Sequence, residues 1–505
     1  MAGEARRLWW TLYGLLLVAC TCWTLAMPLA TGPDEAAHMA RAAAVVRGQI
    51  GGQPYKGPFA WVRVPKEYAE ADGSCFLGNP RQRWPGFRPE PVTADCETMG
   101  HGSGDATVLT SQHRGQPFYY FVVGLPSLVT SAELGAYLMR LVGAVGCCAL
   151  LASAFVSLLR MPGRRSLVLA AGVALTPAAI YLASVVNSVG IELAASFGVW
   201  SAGLALVRGV GVVPARVVHR MGLALVVLTL SRGLSPLFAL VALAALAVLA
   251  DRSRLRDLVR RTDVRAWLAT GIAAAAVSGA WTLHVRSKYV EPEWPGSSLG
   301  KAFGDVPWWT REMIGVFGST DVVPPLAVHL LWLGAAVALV VAAWRAGARL
   351  EVRVAGVLAL LGFATLVSGQ AYGIPQSGYW WQGRYVLPLI VGALLVAGAR
   401  SRPISRRTQT GISAVVVGGH IWMFAYAVRH YTVGYNGAAN PFDYLLHPVW
   451  SPPVPPLVLV LVTIGAVVAV AKVLARALDQ ADESDTATTP STPEDDRTLV
   501  PATVP

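Results

Sequence analysis

The sequence predicts an all-α, polytopic integral membrane protein with about twelve transmembrane helices. Three observations carry that prediction. Charged residues make up 14% of the 505-residue chain, against 54% hydrophobic ones, where a soluble domain carries roughly 25% charged residues. Runs such as 221–230 (MGLALVVLTL) and 334–343 (GAAVALVVAA) are apolar on every face, and a helix without a polar face is buried or in lipid. Each run also sits in an apolar stretch close to the roughly 20 residues that cross a bilayer.

The predicted spans are 8–28, 135–159, 166–186, 189–207, 217–231, 234–250, 266–283, 325–344, 354–370, 385–399, 409–428 and 454–474. The spans at 217–231 and 385–399 are short, and Pro177 interrupts 166–186. With these boundaries the connections sort into two sets. One holds Arg6 and Arg7, Arg160, Arg164 and Arg165, Arg208, Arg216 and Arg220, the segment 251–265, Arg345, Arg349 and Arg353, and Arg400, Arg402, Arg406 and Arg407. The excess of arginine marks this set as cytoplasmic. The other set is extracytoplasmic: 29–134, the turns near 187 and 232, and the loops 284–324, 371–384 and 429–453. It holds most of the loop tryptophans, which read as interfacial anchors or as sugar-stacking platforms.

Arg6 and Arg7 precede an apolar stretch, and Leu17–Cys20 resembles a lipoprotein cleavage box. The apolar run continues to about Leu29, so a span is expected there and not a cleaved signal. Residues 1–478 are therefore predicted to form one transmembrane domain in the inner (plasma) membrane, with both termini cytoplasmic. Within it, 29–134 is a long first extracytoplasmic loop with short interfacial helices, and 284–324 is a second large loop. Residues 479–505 are acidic, then rich in Thr and Pro, and read as a disordered cytoplasmic tail.

The net charge of +12 does not point to nucleic acid, because the basic residues are scattered through short loops and form no stripe or motif. Cys20, Cys22, Cys147 and Cys148 lie in apolar spans and read as small hydrophobes. Cys75 and Cys96 share the first loop, where a disulfide and two free thiols are both open. There is no CxxC or His/Cys cluster to suggest zinc.

Ionisable residues inside a membrane are costly and are functional candidates by default. Under the predicted topology they converge on the extracytoplasmic edge. Asp34, Glu35, His38 and Arg41 follow the first span, and Arg140 lies about one turn into the second. Asn187 and Glu192 sit at the turn between the third and fourth, Arg232 at the SRGLSP hairpin, and Arg384 at the start of the tenth. Pro33 suits the first position of a helix. The spacing then puts Asp34, His38 and Arg41 on one face of a short surface helix, with Glu35 about 100° away. Thr31 and Asp34 also fit a capping box, so a purely structural reading of this segment stays open.

The segment PDEAAHMARAAAVVRGQ (33–49) resembles the PDE-x-x-H-x-x-R signature of a bacterial membrane family, domain of unknown function 2142. Four further segments resemble that family in the same order: TPAAIYLASVVNSVGIE (176–192), SRGLSPLF (231–238), REMIGVFGSTD (311–321) and QGRYVLP (382–388). Ser188 departs from the proline common in the family. The family resembles the GT-C glycosyltransferases, multi-span enzymes that use polyprenyl-phosphate sugars and carry acids in the first outer loop. The resemblance implies a GT-C-like fold, a polyprenyl-phosphate-linked sugar donor, a glycan or glycolipid acceptor, and membrane lipid as a partner.

The residue types permit that chemistry. Asp34 is the expected general base for the attacking hydroxyl, with Glu35 in reserve. Arg232 and Arg384 are expected to pair the phosphate oxygens, with Arg140 or Arg41 assisting. His38 would hydrogen-bond donor or acceptor, and Asn187 and Glu192 would hold sugar hydroxyls. Asp321, in the FGSTD stretch, and Gln382 and Tyr385, in QGRY, are further expected lining residues. Asp34, Glu35 and Glu192 offset three of Arg41, Arg140, Arg232 and Arg384, leaving one positive charge. No cofactor is required; a divalent ion at Asp34 and Glu35 is the alternative.

An internal ion-pair network is the rival account of the whole set. A lipid-linked sugar flippase and a non-catalytic envelope assembly protein are the rival functions. Asp305 and Glu312 read as solvated loop residues. His101 and His113 flank a flexible Gly-rich stretch. Residues 117–130 are too short to span and read as interfacial, with Tyr119 and Tyr120 as anchors.

Overall fold

A computed structural model describes residues 2–55, 59–73, 98–209, 211–287, 298–373, 381–399, 404–434, 437 and 439–488. Cys75 and Cys96 lie outside the described residues. The fold is mostly helical. In chain order the helices are α1 (Ala2–Ala26), α2 (Glu35–Val46), α3 (Lys66–Ala69), α4 (Pro117–Gly124), α5 (Ala132–Leu158), α6 (Arg164–Ala174), α7 (Pro177–Leu182), α8 (Ser188–Arg208), α9 (Ala215–Ser231) and α10 (Ser235–Leu249). There follow α11 (Arg252–Arg260), α12 (Thr262–Ser287), α13 (Leu299–Gly304), α14 (Val306–Gly315), α15 (Leu326–Arg345), α16 (Arg349–Ser368), α17 (Leu387–Gly398), α18 (Arg406–Val433), α19 (Pro441–Leu446) and α20 (Pro456–Thr488). Among the described residues, 8 helices are long and apolar enough to cross a membrane: α1, α5, α8, α12, α15, α16, α18 and α20.

The other four predicted spans are helical but short or broken. Helices α9, α10 and α17 cover 217–231, 234–250 and 385–399. The predicted span 166–186 divides into α6 and α7. Pro177 has no N–H to donate and pushes the residue before it out of the helical region. Thr176 accordingly caps α7, accepting from Ala179 N at 3.2 Å and donating to the Met313 carbonyl at 2.8 Å.

Helix α8 occupies the centre of the bundle and packs against α5, α9, α10 and α17. Its sequence has no polar face, and nearly all of it is buried, as expected for a helix enclosed by others. Tryptophan N–H groups tie neighbouring helices together: Trp200 donates to Pro388 O at 3.1 Å and Trp332 to Val173 O at 2.9 Å.

At one end of the bundle the arginines of the short loops are engaged. Arg208 pairs with Glu351 at 2.8 Å, and Arg254 donates to the carbonyls of Leu206, Gly209 and Gly211. Arg164 and Arg165 pair with Asp482, and Arg165 also with Asp479. Those two aspartates are on α20, which runs on to Thr488. The expected disordered tail from 479 is corrected accordingly: its first part is the last turns of a helix, held by facing arginines.

The opposite end carries the first loop. That loop is not only helical, as expected, but contains a three-stranded antiparallel sheet: β1 (Gln53–Pro54), β2 (Ala60–Pro65) and β3 (Asp105–Thr110). In β2, Ala60, Val62 and Val64 are buried and alternate with exposed Trp61 and Arg63, the period-2 pattern of a half-buried strand. The sheet, α3, α4 and the 3₁₀ turn Leu125–Leu128 enclose α2. Nine of the twelve residues of α2 are buried, so it is an internal helix and not the surface helix expected. Helix α4 exposes Phe118, Phe121 and Val122, and the following 3₁₀ turn exposes Leu125 and Leu128, in keeping with the interfacial reading. In α4, Tyr119 and Tyr120 are buried instead of serving as surface anchors.

Candidate functional site at the first-loop end of the bundle

Asp34 and Glu35 are neighbours with different environments. Asp34 caps α2 in the left-handed region, φ 57°, which Asp and Asn tolerate better than other side chains. The expected capping box is absent: Asp34 makes no side-chain cap, and the Thr31 hydroxyl donates to Pro28 O at 2.8 Å. The Asp34 side chain is 48% exposed, and its Oδ2 accepts from the Arg384 guanidinium at 3.2 Å.

Glu35 turns inward and is fully buried. Arg140 Nε and Nη2 donate to its two oxygens at 2.7 and 2.6 Å, a bidentate pair. Backbone N–H groups of Val186 and Gly32 donate to the same carboxylate at 2.9 and 3.0 Å. Arg140 in turn donates to the carbonyls of Thr24, Met27 and Pro28 where α1 ends. This saturated knot joins α1, α2, α5 and the turn before α8. The two charges expected to serve as reserve base and assisting cation, Glu35 and Arg140, are thus engaged with each other and with backbone groups. A divalent ion at Asp34 and Glu35 would likewise find the second carboxylate committed.

Asn187 is similarly occupied. Its Oδ1 accepts from Val189 N to cap α8, and its Nδ2 donates to Pro33 O, both at 2.9 Å. It positions the turn below Asp34 and has little left for a sugar hydroxyl.

Arg232 and Arg384 meet around one ring. The guanidinium carbons of Arg232 and Arg384 lie 4.7 and 5.3 Å from the centroid of the Tyr385 ring, within cation–π range. Arg232 pairs with buried Glu192 at 3.2 Å, and Ser235 donates to the other Glu192 oxygen at 2.6 Å. The Arg384 side chain is 8% exposed, and its Nε has no hydrogen-bond partner. Gln382, just before it, has an unpartnered Oε1.

His38 Nδ1 lies 2.7 Å from the Tyr120 hydroxyl. Burial first, then the charges of Arg384 and Arg232, hold its imidazole well below the usual range, so the ring is neutral at physiological pH. Arg41 is fully buried against Tyr120 and Trp281, 5.7 and 5.9 Å from their centroids. It has long contacts to Gln49 O and Gly115 O, at 3.4 and 3.5 Å. Burial pushes its guanidinium down to about 10.

Glu312, read from sequence as a solvated loop acid, is a buried member of this set. It accepts from Trp308 Nε1 at 2.8 Å and from Gly383 N at 2.6 Å. Burial pushes its carboxyl up in spite of these bonds and of nearby Arg384. A small cavity of about 20 Å³ is lined by Glu312, Arg384, Pro33, Tyr181 and the Gly318–Thr320 turn. Gly383 lies against α14 so closely that a Cβ there would sit 2.2 Å from Trp309 O, which explains the glycine of QGRY. Asp321 is buried beneath its turn, 3.4 Å from His430, and does not line that cavity. Only a loop acid's place in a helix such as α14 could have signalled Glu312, and its buried face shows only on packing.

The expected consequence is specific. In Glu312→Gln one oxygen becomes an amide donor, so Trp308 Nε1 or Gly383 N loses its acceptor. We expect a loss of about 1–3 kcal/mol, read as a lower thermal unfolding temperature in detergent. An unchanged temperature would show that this carboxyl does not hold the loop bearing Arg384.

Residues 16–393 match the family described as predicted membrane protein, DUF2142. The chain belongs to the DUF2142 family. No curated protein matches it. The matched DUF2142 region takes in Glu35, Arg140, Glu192, Arg232, Glu312 and Arg384, and ends within α17. An apolar cavity of about 240 Å³ lies elsewhere in the bundle, lined by residues including Leu16, Val168, Val416, His420 and Val467. Trp23, on its wall, packs against Tyr181 and Phe317. That aromatic layer stands between it and the polar set.

Proposed function

We propose that this protein is a membrane glycosyltransferase of GT-C type that moves a sugar from a polyprenyl-phosphate donor to an envelope glycan or glycolipid on the extracytoplasmic face. One observation carries the reading: a half-exposed carboxylate, Asp34, touches Arg384, which shares the Tyr385 ring with Arg232. A base and two phosphate-pairing cations, drawn from three distant stretches of chain, thus share one site. In the reaction the acceptor hydroxyl attacks the anomeric carbon in line. The bond from that carbon to the phosphate oxygen breaks, and polyprenyl phosphate leaves. Asp34 takes the hydroxyl proton, and Arg384 and Arg232 stabilise the charge developing on the leaving phosphate. His38 and Gln382 are neutral groups that would hydrogen-bond donor or acceptor hydroxyls. No metal is required, because guanidinium groups supply the positive charge.

The reading goes with twelve spans in the inner membrane and both termini cytoplasmic. The arginine-rich loops then face the cytoplasm, and α2, α14 and the QGRY turn face outward.

The test is a deletion in the native host, complemented with the wild type or with Arg384→Gln at matched protein levels. The wild type should restore one envelope sugar, and Arg384→Gln should leave it missing while the polyprenyl-phosphate sugar accumulates at the outer face. Accumulation on the cytoplasmic side would identify a flippase, and unchanged glycans and lipid-linked sugars an assembly protein.

A further inference from the structure

Four acids, Asp34, Glu35, Glu192 and Glu312, lie beside Arg140, Arg232 and Arg384. The four acids differ in how firmly they are held. Glu35 accepts four hydrogen bonds. Glu192 and Glu312 each accept two, and both are buried. Asp34 makes one end-on contact with Arg384, its side chain is 48% exposed, and its backbone sits in a left-handed conformation.

We propose that the Asp34 carboxylate is a placeholder for a monoanionic phosphodiester. In the resting protein it occupies the guanidinium face of Arg384 that the ligand's phosphate takes on binding. The inference rests on the proposed phosphate site at Arg232 and Arg384, and adds how that site is regulated. A phosphodiester carries one negative charge, so exchanging it for the Asp34 carboxylate leaves the charge paired with Arg384 unchanged. The exchange also frees the Asp34 carboxylate from its cation at the moment the donor is bound. Base and donor are thereby coupled: Asp34 stays paired to Arg384 until a phosphate displaces it. The unpartnered Nε of Arg384 gives the incoming phosphate a second donor on the same guanidinium, which the end-on aspartate does not use.

The experiment measures binding of geranylgeranyl methyl phosphate, a monoanionic prenyl phosphodiester, to the full-length protein in nanodiscs, with geranylgeraniol as the neutral control. Asp34→Asn is expected to bind the phosphodiester tighter by on the order of tenfold, as removal of an internal competitor raises apparent affinity. Geranylgeraniol binding is expected to be unchanged. Asn and Gly both adopt the left-handed conformation, so Asp34→Gly is a second variant with the same expected gain. Arg232→Gln and Arg384→Gln separate this inference from its parent. If they weaken phosphodiester binding while neither Asp34 variant strengthens it, the phosphate site stands and the placeholder role is overturned. If the arginine variants also bind as the wild type does, the phosphate site falls and the inference with it.

Discussion

Asp34→Asn is expected to lower sugar transfer by about 10²–10⁴-fold, the usual span for removing a general base, with the protein accumulating normally. The geometry makes this variant unusually clean. Asp34 makes no capping hydrogen bond, its side chain is half-exposed, and Asn accepts the φ of 57° found there. Folding therefore has little to lose, and the contact to Arg384 is one end-on bond at 3.2 Å. The check is twofold. Envelope glycans of the complemented host report transfer, and fluorescence-detected size exclusion of the tagged protein reports accumulation. Normal glycans with normal protein would remove Asp34 from the chemistry. Tighter phosphodiester binding by the same variant, together with lost transfer, would separate base from phosphate ligand.

Glu35→Gln is expected to behave in the opposite way, although the two acids are adjacent. The Glu35–Arg140 pair is fully buried, and breaking such a pair by removing one partner typically costs about 3–5 kcal/mol. The cost arises because Arg140 is left charged in a low-dielectric interior. We expect the variant to accumulate poorly and to unfold at lower temperature, with transfer falling in proportion to folded protein. Arg140→Met should be worse, because the carbonyls of Thr24, Met27 and Pro28 would lose their donor as well as Glu35 its partner. Combining Glu35→Met with Arg140→Met should not rescue folding, since those three carbonyls remain unsatisfied. A stable, well-folded Glu35→Gln protein that has lost only transfer would return Glu35 to the reaction.

The contrast between these two acids marks where reading residues in order stops. Sequence alone determined that the chain is a helical membrane protein, because apolar runs of spanning length and a shortage of charge are local properties that lipid imposes directly. It also singled out costly polar residues, although not Glu312. Asp34, Glu35, Arg140, Glu192, Arg232 and Arg384 stand out because a charge within or beside an apolar segment is expensive wherever it lies. The break at Pro177 was legible for the same local reason.

Tertiary structure decided which charge meets which. Glu35 and Arg140 are far apart in sequence, as are Asp34 and Arg384, and no spacing rule says that the first pair closes into a saturated knot while the second stays open to solvent. It decided that α2 is enclosed, because the covering sheet is made of β1, β2 and β3, short strands with weak individual signals and a long gap before the third. It added Glu312, whose burial depends on α14 folding against the QGRY turn. A charged residue's cost can be read from its neighbours in the chain; its partner can be read only from its neighbours in space.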